Sequence, residues 1–87
     1  MEVYEVIQDK RQETGITVAE LSRRTGIKYE RLRTSLEGKR GVTGSELVVI
    51  CRELGLNIDD FYTVDSEQRD KYGWPPLDGE NESEAVA

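Results

Sequence analysis

Four glycines, Gly15, Gly26, Gly38 and Gly55, cut the first 55 residues into pieces of 10 to 16 residues. Glycine just past the last helical turn takes the left-handed conformation that closes a helix, so each is a natural stop. Within the pieces the apolar residues recur three and four apart and do not alternate, which predicts short helices and no strands. A chain built this way is confined to a small all-α bundle.

The starts are written as clearly as the stops. Thr17 and Glu20, and again Thr43 and Glu46, have the T-x-x-E spacing of a capping box. Ile16 with Leu21, and Val42 with Leu47, stand at the two places of a hydrophobic staple. The spacing predicts helix 1 over residues 2–14, helix 2 over 17–25 and helix 3 over 28–37. A fourth helix starts at Thr43 and stops at Gly55, and a short fifth begins near Asn57 and spans 56–64. The expected core takes Val3, Tyr4, Ile7 and more weakly Val6 from helix 1, then Leu32 and Leu36 from helix 3. From helix 4 come Leu47, Ile50 and Leu54, widened by Val48 and Cys51, and Leu56, Ile58 and Phe61 close the end. Two short helices joined by a tight turn at Gly26 form a helix-turn-helix pattern.

Other classes fall away on composition. With 87 residues there is room for one small domain, and the single cysteine, Cys51, has no partner for a disulfide. No apolar run is long enough for a leader or a membrane span, so a cytoplasmic protein without membrane contact is expected. There is no histidine, and no nucleophile–base pair or clustered carboxylate set stands out. No metal, no cofactor and no enzymatic activity are expected. Cys51 falls on the core stripe of helix 4 and reads as a small buried hydrophobe rather than a redox switch.

Charge is distributed unevenly. The net charge is −6, yet residues 23–40, "RRTGIKYERLRTSLEGKR", hold seven cations against Glu30 and Glu37, so +7 − 2 = +5. Residues 1–64 hold ten cations and eleven carboxylates, whereas residues 65–87 hold two cations and seven carboxylates. Most of the acidity therefore belongs to a C-terminal segment, 65–87, which follows a body of residues 1–64 and carries Tyr72, Trp74 and Pro75–Pro76. Residues 78–87 have the composition of a disordered tail.

The run "TVAELSRRTGIKYERLRTSLEGKR", followed by "SELVVICRELGLNIDDFY", resembles the phage repressor/Cro-type helix-turn-helix family, also called the XRE family. The likeness covers residues 3–62: a capped helix 2, Gly in the turn, an apolar residue after it, and a third helix ending in a Gly-Lys-Arg loop. It implies a compact five-helix, lambda-repressor-like DNA-binding domain. Three positions depart from the family pattern: Val18 where Gln is common, Ser22 where Ala is common, and Lys28 where Ser or Asp often caps helix 3.

The resemblance lays helix 3 in the major groove of double-stranded DNA, with its N-terminal side chains over the base edges. Leu32 and Leu36 then face inward, and Lys28, Tyr29, Glu30, Arg33 and Thr34 are the expected base contacts. Arg33 leads, because its planar fork fits O6 and N7 of guanine. Glu30 either accepts from a cytosine amino group or orients Arg33 or Lys28. Thr17 at the start of helix 2, Arg24, and Lys39 with Arg40 after helix 3 are the expected phosphate contacts.

Such a regulator is expected to bind as a homodimer, with contacts from Phe61, Tyr62, Tyr72, Trp74 and Leu77. The rival reading is a protein-interaction module on the same fold, an anti-repressor or antitoxin-like partner that uses the acidic tail to engage another protein. The tail can also act within the chain, its carboxylates competing with phosphate for the basic face.

Overall fold

Five α-helices and one 3-10 turn form over residues 1–75, the part of the chain that the computed structural model describes. They are α1 (Val3–Thr14), α2 (Val18–Thr25), α3 (Tyr29–Leu36), α4 (Gly44–Leu54), the turn Ile58–Phe61, and α5 (Tyr62–Tyr72). No strand occurs among the described residues. The expected dimer contact at Leu77 and the acidic stretch 78–87 lie outside them.

The glycine stops act as the pattern predicts. Gly15, Gly26, Gly38 and Gly55 all have φ between 72° and 79°, and Gly73 closes α5 in the same way. The Thr43–Glu46 box is complete: the Glu46 N–H donates to Thr43 Oγ1 (3.2 Å) and the Thr43 N–H to Glu46 Oε1 (3.0 Å). The Thr17–Glu20 box is half made. The Glu20 N–H donates to Thr17 Oγ1 (3.1 Å), but the Glu20 carboxylate turns away to Arg23 and Arg24. Lys28 caps α3 with no side-chain hydrogen bond, as its side chain requires.

α2 packs on α3 and α4, and α1 packs on α3 and α4 from the other direction. Between them lie Val6, Ile7, Leu21, Leu32, Leu36, Ile50 and Leu54, with Leu56 and Phe61 closing one end. Three core expectations are corrected. Val6 is buried, while Val3 and Tyr4 are half-buried at the rim. Val48 is 68% exposed, because it sits two residues before Ile50, roughly 200° around the helix from the buried stripe. Ile58 is 84% exposed, since Leu56 and Phe61 already fill that end of the core. Phe61, expected also as a dimer contact, is only 8% exposed and is used up in its own core.

The last helix also differs. The pattern ends it at residue 64, but α5 runs on to Tyr72. An Asp65–Arg69 ion pair at i, i+4 (2.7 Å) supports it, and Arg69 Nη1 reaches on to the Pro75 carbonyl (2.8 Å). Tyr72 and Trp74 stack at its end with ring centroids 5.0 Å apart.

Gly38 is doubly constrained. Its φ is +79°, and a Cβ placed there would lie 2.7 Å from the Tyr4 ring. Gly38→Ala is expected to lower stability by about 1–3 kcal/mol, combining the left-handed penalty with displacement of the Tyr4 ring. A lowered thermal midpoint checks it; Gly41→Ala, where nothing lies within 4 Å and φ is not positive, should leave the midpoint nearly unchanged.

Candidate nucleic-acid interface

The turn that sets α3 against α2 has its polar groups satisfied locally. The Gly26 N–H donates to the Ser22 carbonyl (2.9 Å), and the Ile27 N–H to Thr25 Oγ1 (3.3 Å). The Ser22 hydroxyl donates to the Ile27 carbonyl (2.6 Å). Ser22 is thus more than a small residue at a helix crossing: it ties the end of α2 to the start of α3. Ile27 packs against the core and anchors the entry of α3.

α3 buries Leu32, Ser35 and Leu36 and turns its other side outward. Lys28, Tyr29 and Glu30 are exposed at its N-terminal end, with Tyr29 at 46%, and Arg33 and Thr34 follow half-buried. All five expected base-contact residues therefore lie on one solvent-facing strip. Thr34 is the least available, because its hydroxyl donates to the Glu30 and Arg31 carbonyls (both 3.0 Å).

The basic run is less positive once folded than when read alone. Arg23 and Arg24 both pair with Glu20, the latter at 3.0 Å. Arg33 pairs with Glu30 (2.9 Å) and Glu37 (2.8 Å), and Lys39 with Glu37 (3.1 Å). Arg31 and Arg40 both reach Glu46, at 2.5 and 3.2 Å. Counting Glu20 and Glu46 with the run gives +7 − 4 = +3 in place of +5. Among the described residues no carboxylate pairs with Lys28, which stands at the exposed entry of α3.

The four expected phosphate contacts fare differently. Thr17 is exposed at the α2 N-terminus, where the first N–H groups lack intrahelical acceptors. Arg24 and Lys39 are exposed but paired on the surface, where such pairs exchange readily for another anion. Arg40 turns inward: its Nη1 donates to Ser35 Oγ (2.6 Å) as well as to Glu46, and only 28% of its side chain is accessible. Arg40 and Lys39 thus part company, one braced against the domain and one on its surface.

Glu46 is the residue the sequence pattern undervalues. Read as a capping group alone, it also gathers Arg31 from α3 and Arg40 from the following loop, with its side chain 13% exposed. The Thr43 N–H and the two arginines hold its carboxyl at about 2, well below the usual carboxylate range, against the opposing effect of burial. The capping motif was visible in sequence; the two arginine partners come from elements 15 and 6 residues away and carried no local signal.

A second feature lies away from α3. An open, mostly apolar groove of about 740 Å³ runs between α4, the 3-10 turn and α5, with Val48, Ile58, Tyr62 and Trp74 at its sides and Phe61 in its lining. No α3 residue lines it. Tyr62, Tyr72 and Trp74, three of the expected dimer contacts, are each more than half exposed in this region. Cys51 lines the groove half-buried, and burial followed by the nearby Asp60 charge pushes its thiol up, away from the reactive thiolate. Among the described residues no group of three or more potential ligands is placed to hold a metal, and no helix is long and apolar enough to cross a membrane.

A family model for the Cro/C1-type helix-turn-helix DNA-binding domain matches residues 7–67, from within α1 to the first half of α5. No curated protein and no solved structure shows significant similarity to the chain.

The Glu46 linkage has a defined sign. Its carboxyl is depressed in the folded state, so its contribution is present above the ordinary carboxylate range and disappears as pH falls from about 5 to about 2. Glu46→Gln is expected to cost about 1–3 kcal/mol near neutral pH, and the gap to the parent should close across that acid window. Urea unfolding of both proteins at pH 7, 4 and 2.5 measures it.

Proposed function

Because the chain belongs to the Cro/C1-type helix-turn-helix DNA-binding domain family, we propose that it is a sequence-specific transcriptional regulator of the repressor/Cro kind. α3 enters the major groove with Lys28 and Tyr29 leading and Arg33 behind them, and the α2 N-terminus at Thr17 approaches a phosphate. The observation that carries this reading is the outward strip of α3 itself. It leaves Lys28 at the cap, and Tyr29, Glu30, Arg33 and Thr34 of an eight-residue helix, outside the core directly after a hydrogen-bonded turn at Gly26.

The division of labour follows from chemistry. Arg33 reads a base, because its fork can bond two acceptors of guanine. Lys39 and Arg24 neutralise phosphates and add affinity without discrimination. Arg40 supports the loop that presents Lys39 by holding Ser35 and Glu46.

One α3 reaches only a few base pairs, so the regulator works as a homodimer on two half-sites about one helical turn apart. The α4–α5 groove is the face for the second copy. Its exposed Val48, Ile58, Tyr62 and Trp74 are apolar or aromatic, and no residue of α3 is used in it, so pairing leaves the recognition strips clear.

Selection from a random duplex pool should return a two-fold symmetric site. On that site Arg33→Ala is expected to relax base preference at one position per half-site, worth about 1–3 kcal/mol, whereas Lys39→Ala weakens all sequences alike and flattens the salt slope by about one. Binding by both variants indistinguishable from the parent's would refute the strip. Tight capture of a cognate protein with no DNA selected would favour the protein-interaction module instead. For the dimer, Ile58→Glu should shift the protein to monomer in sedimentation equilibrium while leaving its helical content intact, since Ile58 contributes almost nothing to the core.

A further inference from the structure

Arg33 is held on all three of its nitrogens. Nε and Nη2 meet the two oxygens of Glu30 at 3.4 and 2.9 Å, and Nη1 meets Glu37 Oε2 at 2.8 Å. A guanidinium carries five N–H donors, so these contacts leave two, one on each Nη nitrogen. Two N–H donors on adjacent nitrogens are what a guanine edge takes up. Glu30 lies on α3 three residues before Arg33, and Glu37 is the residue that caps its C-terminus four after, so both stay with Arg33 in any docking that keeps α3 and its cap intact.

A phosphate and a guanine edge differ in one respect that matters here. Phosphate is an anion, and Glu30 and Glu37 repel it; the guanine acceptors are neutral and are not repelled. An arginine without these partners would take a phosphate on any sequence. We propose that Glu30 and Glu37 are specificity-determining residues: they hold the Arg33 guanidinium by its charge, deny it to phosphate, and leave its two remaining donors for a neutral base edge. Removing the two carboxylates converts a base reader into a phosphate binder. This rests on the DNA-reading function proposed above and assigns a task to two acidic residues in the middle of a basic run.

The test compares full-length parent, Glu30→Gln/Glu37→Gln, and a charge control, Asp9→Asn/Glu13→Gln, which removes two carboxylates from α1 without touching Arg33. Each is titrated with the selected site and with a scrambled duplex across a range of salt. The Glu30/Glu37 variant should bind the scrambled duplex more tightly than the charge control, with a salt slope steeper by about one, the value for one added phosphate contact. Its ratio of selected to scrambled affinity should fall by at least about fivefold, the lower end of what one bidentate base contact discriminates. An unchanged ratio and slope, or a change equalled by the control, overturns the assignment while leaving the DNA-reading function standing. If the parent selects no sequence at all, that function fails and the assignment falls with it. Adding Arg33→Ala to the Glu30/Glu37 variant should abolish the extra slope, and a slope that persists without Arg33 also overturns the proposal.

Discussion

An eight-residue helix does not hold its shape in water, because nucleation costs more than so few hydrogen bonds return. α3 is such a helix, and its N-terminus lacks even a side-chain cap. Its existence rests on the burial of Leu32, Ser35 and Leu36 against α1, α2 and the rest of the core, where Leu32 and Leu36 are 1% and 2% exposed. The position of every side chain on its outer strip follows from that burial. Removing the inner stripe would remove the outer strip with it.

Around this anchor the polar contacts work as braces. At one end the Ser22 and Thr25 hydroxyls satisfy the turn into α3. At the other, Ser35 receives Arg40, and Glu46 receives Arg31 and Arg40. Arg31–Glu46 joins α3 to α4 and Arg40–Ser35 joins it to the following loop, which Glu46 in turn ties to α4, so the helix is braced on both sides of the turn as well as along its inner face. Such contacts add modestly to stability one by one, and their larger effect is to choose a single orientation.

The same carboxylates change the meaning of the charge. A stretch of +5 in an acidic chain reads as a generic anion-binding patch. In the fold most of its cations have a carboxylate partner, and Lys28 stands apart at the entry of α3. A surface of balanced pairs attracts phosphate less strongly than a bare patch and leaves more of the binding to geometry, which suits recognition of a sequence over retention on any duplex. The apolar groove between α4 and α5 stands apart from this surface, so the DNA contact and the self-association proposed above would draw on separate faces.

Much of this was legible in the residues. Glycines with an obligatory left-handed role and threonines with a glutamate three places on are local signals, acting within one turn, and they marked four helices and the turn at Gly26 correctly. Helical periodicity likewise assigned Leu32 and Leu36 to the inside, and hence Lys28, Tyr29, Glu30, Arg33 and Thr34 to the outside. Local signals were silent where packing competed. Whether Ile58 or Phe61 would enter the core, and whether Val48 would, depended on which neighbours already filled the space. The continuation of α5 to Tyr72 was written in Gly73 and in the Asp65–Arg69 spacing, but its low apolar content hid it from periodicity. The pairing of Glu46 with Arg31 and Arg40 could not be read at all, since electrostatic partners are selected by distance in space, and only folding brings α4 beside the end of α3.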